Sequence, residues 1–265
     1  MTKLIASILA LATIASSVSG VAAQDPFQSL DMSSPAFTAA EMTRAEVEAV
    51  LAAASPAAPA DFSGKSLNGL DLSNIDFKGA DMKTARLNKT KLAGANFEGA
   101  NLDAVWALEA DFHGVNFRGA SLIGAQFIKS KFDHADFSGA KVKSNFSQAS
   151  LADARFDHAD LSPGRKNQRA IVKKGFEGAN LARASFRGAN MVESDLMFAD
   201  LTDADLKDAV LAGADLSGAV LQGADVSGAD FNGADVDSAK LAGMKNVDRA
   251  KSFDTVRNLD RAYRN

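Results

Sequence analysis

Cysteine is absent from the 265 residues. Disulfides therefore cannot stabilise this chain in an oxidising compartment, and its stability must come from apolar packing and backbone hydrogen bonds. Histidine occurs only at 113, 134 and 158. No nucleophile, base and oxyanion donor can be assembled into a pocket from this set. No Gly-rich segment leads into a helix pattern, as a phosphate loop would. The one candidate membrane span, residues 4–14, is too short to cross a bilayer.

That short run has a different meaning. Lys3 precedes it, Ser16, Ser17 and Ser19 follow it, and Val21-Ala22-Ala23 stands before Gln24. A basic start, a short apolar core and a small-residue end make a secretory signal peptide. The expectation is residues 1–23 as signal peptide, cleavage after Ala23, and a mature chain in the periplasm or medium. A buried N-terminal helix is the other reading. No Cys follows Ala23, which excludes a lipoprotein anchor.

What the sequence holds in abundance is one pattern. Ala214-Asp215-Leu216-Ser217-Gly218 is followed by Ala219-Val220-Leu221-Gln222-Gly223 and then by Ala224-Asp225-Val226-Ser227-Gly228. Five residues match neither the helical period of 3.6 nor the strand period of 2. Large apolar residues recur at Phe62, Leu67, Leu72, Phe77 and on to Val142. The phase then slips by one residue to Phe146, Leu151, Phe156 and Leu161, resumes at Ile171, and runs to Leu241. A small residue, usually Ala, stands two positions before each. Both must point into a narrow interior, while the other three positions face water.

Such a repeat predicts an all-β solenoid. Phe77, Phe97, Phe117 and Phe137 recur every twentieth position, and Phe156 and Phe176 extend the row after the slip. The expected coil has four five-residue sides, with phenylalanines stacked down one inner wall. Roughly thirty-six units make about nine coils, a rod on the order of 40 Å long at strand spacing. The repeat region spans residues 61–243.

A solenoid needs both ends covered. Thr38-Ala39-Ala40-Glu41 reads as a capping box, opening a helix through Ala54 within an N-terminal segment of residues 24–60. Residues 246–263 place Val247, Ala250, Phe253, Val256, Leu259 and Tyr263 at steps of three and four. This predicts a C-terminal helical cap over residues 244–265, covering the last coil or docking a second copy or partner.

Three irregularities are candidate binding features. First, Ala107 stands where a large inward residue belongs, between Trp106 and Leu108. It implies either a bulge filled by Trp106 or Leu108, or an apolar patch of Trp106, Leu108, Ile128 and Ile123. Second, residues 162–170 replace nearly one side in phase, as an outward loop. Arg165, Lys166 and Arg169 there, with Lys173 and Lys174, form a basic cluster. It is either a solvated insertion or a binding loop. Third, residues 193–243 carry eleven acids against Lys207 and Lys240, a net of −9. Asp195, Asp215 and Asp235 should form one outward row, and Asp205 and Asp225 another. Mutual repulsion would raise some of their pKa values or recruit cations, unless Asp merely suits the corner. Residues 62–92, with six bases and three acids, polarise the rod. His113 and His134 fall one coil apart, a thin metal site at most.

The Ala-Asp/Asn-Leu-x-x units resemble those of the pentapeptide-repeat family over most of the chain. The resemblance implies a right-handed quadrilateral β-helix. It implies no single function, although some members mimic DNA in shape and charge and bind gyrase, giving quinolone resistance. The leading expectation is a non-catalytic exported interaction rod, without a cofactor or metal, facing an unknown protein or an anionic envelope component. It would be a monomer, or a dimer through an end cap. The alternative is gyrase-directed DNA mimicry, which the signal peptide and the basic first coils oppose.

Overall fold

The computed structural model describes residues 33–162 and 175–264. Within them the period of five becomes a four-sided coil. Every fifth residue forms a parallel bridge to a residue in the next coil, as in Asp61↔Asp81, Ser66↔Arg86, Asp71↔Lys91 and Asp76↔Asn96. The Phe62 N–H donates to the Asp81 carbonyl at 2.7 Å, and the Asp81 N–H donates to the Ala60 carbonyl at 2.9 Å. Each side thus bonds to the coil above and the coil below.

The corner explains the residue choices. The large residue's carbonyl accepts the N–H three positions on, as in Ala80 to Phe77 at 3.0 Å. Closing that turn puts the intervening corner residue in the left-handed region, at φ +67 for Gly79, where glycine is unstrained. The residue before the large one turns its side chain back. Asp61 Oδ1 accepts the Ser63 N–H at 2.8 Å, and Asp71, Asp76, Asp81, Asp215 and Asp225 do the same two residues on. Asp and Asn recur there because they satisfy a corner donor.

The large and small residues fill the interior with almost no exposure. The phenylalanine wall runs Phe77, Phe97, Phe117, Phe137 and Phe156, with consecutive rings 4.6–5.4 Å apart and nearly parallel. Its continuation differs from the expected one. Phe156 stacks on Phe186 at 4.9 Å, while Phe176 stacks on Phe146 at 5.2 Å. Bridges join Asn145 to Gly175 and Asp160 to Asn190, thirty residues apart instead of twenty. The turn of chain between Asn145 and Gly175 is therefore ten residues longer than a regular coil; the loop expected at 162–170 lies, beyond Ser162, outside the described residues. Ten residues are two repeat units, so the insertion leaves the five-residue phase unchanged. The side directly beneath, from Lys141 to Asn145, is the one short by a residue.

At the start of the rod lie two helices, α1 (Pro35–Thr38) and α2 (Arg44–Ala53). The capping box belongs to Thr43 and Glu46, not to Thr38 and Glu41. Between the helices Ala40 bridges Leu67, and the Glu41 N–H donates to the Ser66 carbonyl at 2.7 Å. That edge pairing takes up the residues the capping-box pattern had assigned to a helix start. Val47 of α2 is fully buried in the core, with Met42, Val50 and Leu51 packed beside it. No helix among the described residues is long and apolar enough to cross a membrane.

The C-terminal α-helix does not form. Lys245, Lys251, Arg257 and Tyr263 bridge Asp225, Asp230, Asp235 and Lys240, so the chain makes another coil in six-residue steps. Asn246, Ser252 and Asn258 are left-handed, each opening a single 3-10 turn: Val247–Arg249, Phe253–Thr255 and Leu259–Arg261. The apolar stripe steps by three from Val247 to Leu259, which is two inward residues per six-residue side. A helix would require 3.6. Val247, Ala250, Phe253, Val256, Leu259 and Ala262 are partly buried against the core.

Candidate functional site

The rod presents four charged faces, and its described interior is packed. A small recess lined by Lys143, Ser144, Glu193 and Ser194 opens where the insertion leaves the coil, too small for an organic ligand.

Trp106 keeps the regular register, bridged to Arg86 below and Gln126 above. The Ala107 N–H still reaches the Gln126 carbonyl at 2.9 Å, so no bulge forms. Leu108 is buried, its N–H held by Asn88 Oδ1 at 3.0 Å, and Trp106, Ile123 and Ile128 are half-buried. The expected apolar patch is therefore largely closed. Among the described residues the exposed aromatics are Phe198 and Tyr263. Phe198 was legible as an anomaly: it occupies the corner after Leu196, where the described repeat elsewhere places Gly, a polar residue or, once, Ala104.

The basic cluster Arg165, Lys166, Arg169, Lys173 and Lys174 lies outside the described residues. Burial alone would raise the Asp160 carboxyl, but hydrogen bonds from Ser162 and Lys143 hold it below the usual carboxylate value. Lys143 Nζ stands 3.1 Å from Asp160 Oδ2.

The acidic rows form as expected, with Asp195, Asp215 and Asp235 in one column and Asp205 and Asp225 in another. Their electrostatics differ from the expectation. Lys207 Nζ sits between Asp205 and Asp225, at 3.4 and 2.9 Å. Arg187 adds a 2.6 Å contact to Asp205, and Asn246 donates to Asp225 at 2.9 Å. Burial acts to raise the Asp225 carboxyl, but Lys207 and Asn246 outweigh it and hold it down to about 2. Asp235 receives Arg257 and Asn258, and Asp237 receives Arg261. The last coil thus supplies cations to the acidic end. The rings of His113 and His134 lie 5.2 Å apart, yet no group of three metal-ligating side chains occurs among the described residues.

Asp136 and Asp157 are also held low. In both, burial would raise the carboxyl, and bonds from Ser138 and Arg118, or from Ser185 and Arg155, prevail. Because folding depresses these groups, their contribution is present above the ordinary carboxylate value near 3.8 and is lost as pH falls through the folded values, about 2 at Asp225. The thermal midpoint is expected to stay level from about pH 7 to about pH 5 and to fall below about pH 4. A midpoint that rises on acidification would show that the rows mainly repel.

The pentapeptide-repeat family profile matches eight copies, over residues 60–99, 82–105, 110–144, 176–202 and 199–237, more than half of the chain. No curated protein matches the chain. Among solved structures, full-length QnrB1, a plasmid-mediated fluoroquinolone resistance protein, is 20% identical with a TM-score of 0.44, over 74% of this chain and 92% of that one. A pentapeptide repeat protein from the Arabidopsis thaliana thylakoid lumen is 21% identical with a TM-score of 0.15, over 62% and 66%.

Proposed function

Because this chain belongs to the pentapeptide-repeat family, we propose that it is a non-catalytic interaction rod, exported through a signal peptide at residues 1–23. In this reading it is a right-handed stack of about nine regular coils, covered at one end by α2 and at the other by the six-residue coil. It docks a protein or an anionic envelope component on its faces. The observation that carries this is the packed interior: among the described residues, apolar columns leave no cleft in which chemistry could be sheltered, while ordered charge lines the sides. Gyrase-directed DNA mimicry is the weaker reading. A mimic needs uniform negative charge, and here the row of Asp205 and Asp225 is interleaved with Arg187 and Lys207.

Mass spectrometry of the native protein should find an N-terminus near Gln24, recovered from periplasm or medium. Intact Met1 in the cytoplasm would reverse the order of the two readings. The partner surface is expected at the basic loop. Replacing Arg165, Lys166 and Arg169 by Ser should leave the melting temperature nearly unchanged and sharply reduce partner capture from the envelope fraction. Capture should weaken with salt, since exposed charges are screened beyond about 8 Å. Capture that survives this change but fails with Asp215→Asn and Asp235→Asn would move the surface to the acidic face.

A further inference from the structure

Phe198 sits at a corner two residues after the inward Leu196, with 62% of its surface exposed. Its backbone is left-handed, at φ +57, a conformation bulky residues rarely adopt. Leu196 already fills the interior on this side, so the core does not require a second apolar group. The coils on either side carry glycine at the same corner, Gly178 and Gly218. A Cβ on Gly218 would stand 2.5 Å from the Phe198 ring. The ring therefore rests against bare backbone, and the rest of it faces water.

The same side carries the column Asp195, Asp215 and Asp235, within the segment of net charge −9. We infer that this face docks a lysine- or arginine-bearing segment of a partner protein, with the Phe198 ring and the Asp215 carboxylate as contact points. The ring's electron-rich face attracts a guanidinium or ammonium group, and the carboxylate supplies a charge-assisted hydrogen bond. An anionic partner would be repelled by the column. The other acidic row carries Arg187, Lys207 and Asn246; in this column Arg257 and Asn258 hold Asp235, so Asp215 is the carboxylate named as the contact. The inference rests on the reading of the chain as an interaction rod and adds a second face, for a cationic segment, to the basic loop named above.

The test is fluorescence anisotropy of the full chain with labelled hexa-arginine and hexa-lysine at physiological salt. Both peptides should bind. Phe198→Leu should weaken hexa-arginine about two- to fivefold, as loss of an exposed cation–π contact would, with the melting temperature unchanged. Asp215→Asn should weaken both peptides, and Ser227→Ala, on another side, should weaken neither. Absence of binding, or equal binding by wild type, Phe198→Leu and Asp215→Asn, overturns the inference. So does preferential binding of hexa-glutamate. These results are separable from the export reading, because intact Met1 in the cytoplasm would sink export and leave the peptide affinities as they are.

Discussion

Phe117→Ala is expected to lower folding stability by about 3–5 kcal/mol, the range for emptying a buried aromatic site. Phe117 is fully buried. It stacks on Phe97 and Phe137 at 5.4 and 4.8 Å and meets Phe112 and Phe132 at an angle. Alanine would open a void in the middle of a continuous column, and five-residue sides tied to coils above and below cannot collapse into it. Ser217→Ala, on an outward position, should change stability by less than about 0.5 kcal/mol. Guanidinium unfolding of the two variants measures both. Equal shifts would show that the inward register is wrong.

Ending the chain at Met244 should make the rod aggregate. The six-residue coil packs Val247, Phe253, Val256 and Leu259 against the core, with Phe253 edge-on to Phe231 at 5.3 Å. It also brings Lys245, Arg257 and Arg261 to Asp203, Asp235 and Asp237. Without it the last regular coil presents an apolar core section and an unpaired strand edge, beside carboxylates that have lost their cations. Light scattering and sedimentation should show large species. A monodisperse truncated rod with an unchanged melting temperature would show that the coil is an ornament and not a cover.

Much of this was written in the residue pattern. A five-residue period decides locally which way each side chain points, so the inward columns, the phenylalanine wall through Phe156 and the recurrence of Asp at the corners were all legible. Direction and corner chemistry depend only on neighbours within one side; the wall through Phe156 was legible because phenylalanine recurs there every nineteen or twenty residues, about one coil. The α2 helix was legible too, although its capping box shifts to Thr43 because edge pairing claims Ala40 and Glu41.

What only the tertiary structure decided concerns neighbours between coils. Which residue stacks on which depends on the count of residues between successive passes of the chain, and inter-coil hydrogen bonding sets that count. An excess of ten between Asn145 and Gly175 is invisible to a period of five, so Phe176 passed for the residue above Phe156 when Phe186 holds that place. An apolar step of three suits a six-residue coil as well as a ragged helix, and pairing of Lys251 and Arg257 with the coil below chose the coil. Pairing likewise brought Lys207 between two carboxylates the charge pattern had left to repel each other. It also buried Leu108. Period fixes direction, because direction is local geometry; registry fixes partners, because a partner twenty or thirty residues away is chosen only when the coil closes.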